Sequence, residues 1–428
     1  MELTERQKWA LYQIVNGLRK DNVPEQTLGG YAGTGKAQPL SSLIATPKGF
    51  VRMGDIKAKH EVCTPSGRIA KVTKVFPQGI KQIFRVSFYD GNSVECCQDH
   101  LWKIIVSDKE LSNPEEFDHT SEVMPLWDII NCLDCGKNVY IENSKPVEFE
   151  SQKVKMDPYS LGTILGSESE LKIQSFVNEL KEMNLFDVRH ESKFVPINYL
   201  QNNNKIRLAV LQGIMDAGGS VDVSRKLATI SIVSPKLASD IAFLVESLGG
   251  TCQLIKKNPE CRYVGDVARG QERFDLEISL SNEIQLFKIE EKHNDFKNCS
   301  NSKIYRRIFW VDFIREEEAK CIMINDPDHL YLTNHFIPTH NTTLIKYLTK
   351  FFPNFAVAAY TGKAANVLRK KGISATTIHR RIYKPFFDNG TMYFDLNPNP
   401  DCDGFIIDES SMVSKEIYED LLTFKLPI

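Results

Sequence analysis

Gly30, Gly33, Gly35 and Lys36 lie in the stretch "GGYAGTGKAQPLSS", residues 29–42. Gly30, four residues, then Gly35-Lys36 is the spacing of a loop whose backbone N–H groups and lysine cradle phosphates. Such a loop closes on Ser or Thr, whose hydroxyl ligands the Mg²⁺ that travels with the nucleotide. Ala37 stands there instead and carries no oxygen. The completing hydroxyl is far downstream. Thr342 opens "TTLIKYLTKFF", and joining Lys36 to Thr342 gives G-x4-G-K-T followed by an amphipathic helix. Residues 37–341 therefore interrupt the loop.

The residues just before Thr342 are also chemical. An Asn side-chain amide can attack its own main-chain carbonyl, forming a succinimide and releasing the next residue. Asn341 is so placed, and His340 beside it would donate to the leaving nitrogen or polarise the carbonyl. His-Asn-Thr alone is a weak signal. Its force is its position, one residue before the hydroxyl that the phosphate loop lacks.

These groups need elements to hold them. Upstream, "LTERQKWALYQIV" reads as a helix and leads through a short apolar stretch into the loop. Downstream, "FAVAAYTGKAANVL" reads as a strand, a turn and a helix, and "GFIIDESSMV" as an apolar strand ending in Asp408-Glu409. The Asp of such a pair organises Mg²⁺ and the Glu orients a water. Inside the interruption, residues 42–104 read as short alternating strands with Gly and Asn turns. From 147 to 317 the pattern becomes mixed helix and strand.

The joined flanks resemble the first half of the motor domain of superfamily 1 DNA helicases of the RecD-like and Dda-like group. The resemblance implies an α/β P-loop domain in fragments at 1–36 and 342–428. It implies ATP and Mg as cofactors and DNA as partner once the loop is whole. Gln7 would contact adenine, "TGKAA" and "TIH" would contact single-stranded DNA, and Gly30, Gly33, Gly35, Lys36, Thr342, Asp408 and Glu409 would form the nucleotide site. The family's arginine-bearing second half has no counterpart here.

The interruption resembles an intein, a segment that excises itself and ligates its flanks. The stretch up to His100, the closing "AKCIMINDPDHLYLTNHFIPTHN" and the His340-Asn341-Thr342 junction carry this resemblance. It implies a mainly β Hedgehog/intein splicing domain in two parts, 37–146 and 318–341, and a single-turnover autocatalytic reaction needing no cofactor, metal or partner. Most inteins begin with Cys or Ser. Either Ala37 replaces that nucleophile and traps the precursor, or another residue attacks. The so-called class 3 members lack the first nucleophile and carry a Trp two residues after the conserved His, a Cys in the closing segment and a Thr two residues before the terminal Asn. Here these are Trp102, Cys321 and Thr339, and the match favours class 3. Cys97 stands where the family has Thr, in a position that supports the scissile amide, and His329 matches a supporting His.

Between 147 and 317, "LGTILGSE" and "LQGIMDAGGSV" resemble the paired helices of LAGLIDADG homing endonucleases, inserted as an α+β domain. Those helices pack through small residues and each offers an acid to a divalent metal over DNA. The acid positions here are Ser167 and Gly218; Glu168 is one residue off, and Asp216 matches a packing position. The domain is expected to be degenerate and without cutting activity. Arg225, Lys226, Lys256 and Lys257 are left with weak DNA contact or, preferred, a solvated face.

At 428 residues with a net charge of -2, the chain has room for about three domains and no overall field to draw a nucleic acid or membrane. No signal peptide or apolar span is visible, and ten scattered cysteines suit a reducing compartment, so a cytoplasmic monomer is expected. Cys132 and Cys135 have metal-like spacing without a second pair, which argues against zinc. His60, His119 and His190 read as surface residues. A helicase fragment and a homing endonuclease remain the competing functions.

Overall fold

The computed structural model describes residues 37–98, 100–110, 121–167, 176–186, 188–257, 260–263, 266–269, 272–299, 304–326, 330–340, 352–370, 373–388, 391–397, 399–408, 410 and 413–428. They form two compact units, one holding 37–340 and the other 352–428. In chain order the elements that matter for the sites are β1 (Gln38–Pro39), β2 (Ile69–Phe88), β3 (Ser93–Cys97), β4 (Leu101–Ser107) and β5 (Asn138–Glu142). Then come α1 (Pro158–Gly166), α2 (Asn204–Gly218), β6 (Ser220–Asp222), β7 (Leu227–Ile232), α3 (Pro235–Ser247), β8 (Thr251–Lys257) and β9 (Arg273–Ser279). The first unit closes with β10 (Tyr305–Ile324), β11 (Leu330–Leu332) and β12 (Pro338–His340). The second has β13 (Phe355–Ala359), α4 (Gly362–Lys370), β14 (Ala375–Thr377) and β15 (Gly404–Asp408).

The β-rich part of the first unit is an antiparallel sheet in the order β11-β12-β4-β5-β10-β2, with β1 on β10 and β3 on β2. Its spine is the pair β2 and β10, each twenty residues long and bonded along almost their whole length with bulges. Alternation puts Ala319 and Cys321 on one face of β10, both buried, and Lys320 on the other, where its ammonium donates to the carbonyls of Gly54 and Ile56. Two apolar clusters close the sheet. One holds Val86, Val94, Trp102, Ile104 and Ile337, the other Ile44, Met53, Val72, Ile322 and Tyr331. Each such side chain contributes about 1.5–3 kcal/mol on burial.

The sequence reading placed the return to this sheet at residue 318. That boundary falls inside β10, which pairs with β5 from Tyr305 and with β2 from Ile308. The strand's first half, "YRRIFWVDF", exposes Phe309, Trp310 and Phe313, so it lacks the alternation that marks a half-buried strand. Only the pairing with β2, remote in sequence, defines it.

The insert carries its own core, and its helices are started by side-chain caps. Asp157 accepts from the Ser160 N–H ahead of α1, Asn203 from Ile206 ahead of α2, and Ser234 from Leu237 ahead of α3. α1 and α2 touch backbone to backbone. A Cβ on Gly162 would stand 2.1 Å from the Val210 carbonyl oxygen, and one on Gly213 2.2 Å from that of Tyr159. Behind α2 follows the sheet β6-β7-β9-β8, covered by α3. Among the described residues, α1 is not followed by a sheet of its own. In the other unit β14, β13 and β15 run parallel with α4 between β13 and β14, an α/β arrangement.

Candidate active site

Gln38 pairs with Lys320 and Pro39 with Ala319, and the Leu40 N–H continues the ladder to the Glu318 carbonyl. The ladder ends at the Gln38–Lys320 pair, so Ala37 and Cys321 are the residues that follow that last pair on either strand. Ala37, Cys97, Ile83 and Ala319 share one buried cluster, and Cys321 lies on the same face of β10 as Ala319. The sulfur is therefore on the side of the sheet that holds the upstream junction.

Cys97 clamps that junction. Its thiol accepts the Ala37 N–H at 3.1 Å, and its own N–H donates to the Ala37 carbonyl at 3.0 Å. The Ala37 nitrogen belongs to the Lys36–Ala37 peptide bond, so Cys97 touches the bond in question. The next turn of chain, closed by the His100 N–H on the Cys97 carbonyl at 3.0 Å, delivers His100. β3 and β4 thus hold the thiol and the imidazole on either side of one bend.

His100 is fully buried, and its Nε2 meets the Thr339 hydroxyl. The Trp102 ring stands edge-on to His100, with centroids 5.5 Å apart at 62°. Burial, followed by Cys97, pushes the Cys96 thiol well above its ordinary range, with the nearby Trp102 countering it. Cys96 is therefore held as a thiol. β12, which carries Thr339 and His340, lies between β11 and β4, with His340 paired to Leu101. The downstream end of the insert thus runs beside the strand that follows His100.

Sequence reasoning missed Tyr331. It pairs directly with Thr339 across β11 and β12 and is buried. Its phenol is held well above its usual range, first by burial and then by the Cys321 thiol, while Thr339 partly counters this. The signal was available in "LYLTNHFIPTH": a hairpin there faces Tyr331 with Thr339. The loop between these strands is gripped by the insert. Phe336 packs with Phe243 of α3 at 5.4 Å between centroids, and Glu246 of α3 accepts from His335 at 3.1 Å.

Other expected residues lie outside the described ones: Gln7, Gly30, Gly33, Gly35, Lys36, His119, Glu168, His329, Asn341, Thr342 and Glu409. Asp408 is described: it ends β15 and is half-buried. His60 and His190 are exposed. Cys132 is half-buried and Cys135 exposed; among the described residues no group of His, Cys, Asp and Glu could hold a metal.

The second candidate site is the junction of α1 and α2. Ser167 caps α1 and Gly218 ends α2, where a Cβ would stand 2.7 Å from the Gly166 carbonyl oxygen. Neither carries a carboxylate. Asp216 is spent on structure: it accepts from the Tyr159 hydroxyl at 2.8 Å and from the N–H groups of Lys288 and Ile289 at 3.1 and 3.3 Å. Divalent metal does not fit these residues. On the sheet, Arg225 pairs with Glu277, Lys256 with Glu272 and Lys257 with Asp275.

Residues 336–425 match the family model described as an AAA domain. The chain is 23% identical over 351 residues to a replicative DNA helicase DnaB from Mycobacterium intracellulare, covering 73% of this chain and 59% of that protein. It thus spans less than two thirds of that relative. Among solved structures it is similar to the MchDnaB-1 intein, at 10% identity and a TM-score of 0.25, covering 71% of this chain and 100% of that one. A triply substituted gp41-1 intein is similar at 10% identity and TM-score 0.25, covering 72% and 99%. A DnaB intein from Synechocystis sp. PCC 6803 is 20% identical with a TM-score of 0.15, covering 21% and 77%. No helix among the described residues is long and apolar enough to cross a membrane.

Proposed function

We propose that this chain splices itself, removing residues 37–341 and joining Lys36 to Thr342. One observation supports the reading: β1 pairs with β10 through Gln38 and Lys320, the residues next to Ala37 and Cys321, and the Ala37 amide nitrogen is held by Cys97. Cys321, as thiolate, attacks the Lys36 carbonyl carbon. The C–N bond to Ala37 breaks, and His100 supplies the proton that the departing nitrogen needs. The Thr342 hydroxyl then attacks the thioester and takes the upstream flank as an ester, freeing Cys321. Asn341 cyclises to a succinimide, with His340 assisting, and releases the insert. The ester finally shifts to the Thr342 nitrogen as an amide. Each step exchanges one acyl bond for another, so no ATP, metal or partner enters.

The fold's contribution is proximity, which in well-aligned cases supplies about 7–11 kcal/mol. Burial contributes as well, because a thioester shielded from water is not lost to hydrolysis. Trp102 shapes the pocket wall beside His100, and Thr339 sets the imidazole by its hydroxyl. His329 and Cys97 are supporting residues.

After ligation, Gly30 to Lys36 and Thr342 form one phosphate loop, with Gln7 on adenine and Asp408 and Glu409 opposite. ATP with Mg²⁺ would bind there, the metal polarising the phosphates, in a helicase domain of the RecD-like and Dda-like kind that works on DNA. Until then the loop is split and the motor is off. The insert between β5 and β10 is read as a LAGLIDADG-like endonuclease that keeps its paired helices and has lost its metal acids.

The test is one gel. Purified precursor, without ATP or DNA, should yield the excised insert and the ligated flanks. Cys321→Ala should stop both. The reading of a trapped precursor gains, and Cys321 loses its role, if Cys321→Ala is harmless while Ala37→Cys switches splicing on.

A further inference from the structure

We infer that Glu246 of α3 is a positioning residue for the downstream splice junction: with Arg306 it fixes the turn between β11 and β12, so the helix-bearing part between β5 and β10 takes part in splicing. The inference rests on the splicing reading above and names a further residue which that reaction needs.

The turn has reason to be held. His335 and Phe336 within it both have positive φ, 56° and 52°. Neither is glycine, and the left-handed region is costly for a residue with a Cβ. Such a backbone persists only where its surroundings fix it. Beyond the turn, β12 pairs three residues with β11 and one, His340, with β4. A short two-stranded hairpin is marginal by itself, so the anchors of the turn decide where Thr339 and His340 stand.

Those anchors come from remote segments and meet at Glu246. Both Glu246 and Arg306 are buried. One Glu246 carboxylate oxygen accepts from His335 Nδ1 at 3.1 Å, and the other from the Asn92 side-chain amide at 2.5 Å. Arg306 donates to the His335 carbonyl at 3.1 Å, forms an ion pair with Asp90 at 2.8 Å and a longer one with Glu246 at 3.8 Å. Asn334 donates to the Ser93 carbonyl at 2.9 Å. Phe336 lies among Phe50, Phe149 and Phe243, the last on α3 one turn before Glu246. The end of α3 is itself pinned to the chain leaving β5. The Val147 N–H donates to the Ser247 carbonyl at 2.9 Å, and the Asn143 side chain to the Gly249 and Gly250 carbonyls. Ion pairs buried this deeply add little net stability over apolar packing, so their use here is to fix which segments meet.

The two junctions depend on this clamp unequally. β3, which ends in Cys97, has five residues paired with β2 and does not need Glu246 to keep its place. β12 has no ladder of that length. Loss of the Glu246 carboxylate therefore frees the turn, shifts the strand that carries Thr339 and His340, and slows Asn341 cyclisation more than attack at Lys36.

The upstream step is read in precursor carrying Asn341→Ala, by hydroxylamine cleavage of the Lys36 thioester. The downstream step is read in precursor carrying Cys321→Ala, by release of the 342–428 fragment on a gel. Glu246→Ala should slow the downstream step about tenfold or more and the upstream step by no more than about threefold, since misplacing a reacting group by about 1 Å costs up to about 10²-fold. Glu246→Gln keeps both hydrogen bonds and should bring the downstream rate back to within about threefold of the unsubstituted protein. His335→Ala removes the other side of the contact at a half-buried position, and should slow the same step about threefold or more even if Glu246→Ala does not fold. A downstream rate left unchanged by His335→Ala and by any folded Glu246→Ala overturns the inference. Equal slowing of the two steps also overturns it, as a packing effect, and so does a Glu246→Gln rate no better than that of Glu246→Ala. The splicing reading stands in each of these cases. Upstream cleavage that survives Cys321→Ala overturns the splicing reading itself.

Discussion

Two places in the first unit bring remote residues into close contact, and they differ in what the contact is for. At the β1–β10 end, Cys97, His100, Thr339 and Tyr331 bring polar groups to a buried junction. At the α1–α2 end, Gly162 and Gly213 bring backbone to backbone with no room for a side chain, and the buried acid Asp216 is consumed by hydrogen bonds from Tyr159, Lys288 and Ile289. The first end gathers groups that can exchange protons. The second is a backbone contact, where a void or a clash is felt by the whole core.

The comparison breaks most sharply at His100. His100→Ala should slow cleavage at Lys36–Ala37 by about 10²–10⁴-fold, the usual worth of a positioned acid, without a matching loss of stability. Product yield against time on a gel, beside a urea melt of the same protein, checks both halves. If stability falls in proportion, the buried imidazole is a core residue and the contrast collapses.

Gly213→Ala tests the other end. Its methyl would meet the Tyr159 carbonyl oxygen, and an overpacked core of this sort costs about 1–3 kcal/mol. The urea midpoint should drop, while the first-step rate at temperatures where the protein stays folded should be unchanged. A rate that falls with the midpoint would mean that the helix pair props the active site.

Alkaline pH gives a smaller effect. Burial, and then the hydrogen bond and charge of Asp216, raise the Tyr159 phenol to about 12. The folded state keeps this proton after the unfolded chain, with its ordinary tyrosine near 10, has released it. The contribution is fully present below pH 10 and is lost as pH rises toward 12. Tyr159→Phe should remove that part of the pH slope in a melt, leaving a flatter curve.

The smallest expected effect is on DNA. Arg225, Lys256 and Lys257 are already paired with Glu277, Glu272 and Asp275. Changing all three to Ala should alter binding to a duplex by no more than about twofold by fluorescence anisotropy, since neighbouring carboxylates offset their charge toward phosphates. A large loss would revive the endonuclease-like face as a DNA contact.

Much of the candidate site was legible because its proposed chemistry is tied to junctions. Ala37 lacks a nucleophile, Thr342 supplies the missing hydroxyl, and Trp102, Cys321 and Thr339 stand at offsets from residues already marked. Cys97 was legible as a position, but not as an atom: that its sulfur accepts the Ala37 N–H is a matter of the bend between β3 and β4. Tyr331 was passed over because a Tyr in an apolar strand looks like ordinary core, and only its facing partner distinguishes it. The start of β10 was misplaced because a strand whose outer face is aromatic and exposed has no period to read.

By itself, the order of residues determined which groups exist and where the interruption begins and ends, since motif spacing is a covalent property. It also set the local starts of helices, because caps act within three or four residues. Only the tertiary structure decided that β1 pairs with β10 beside Ala37 and Cys321, that Thr339 meets His100 and faces Tyr331, and which groups Asp216 accepts from. Those facts depend on antiparallel register and helix contact between segments far apart in the chain, and register is set by the summed burial of many side chains rather than by any one of them.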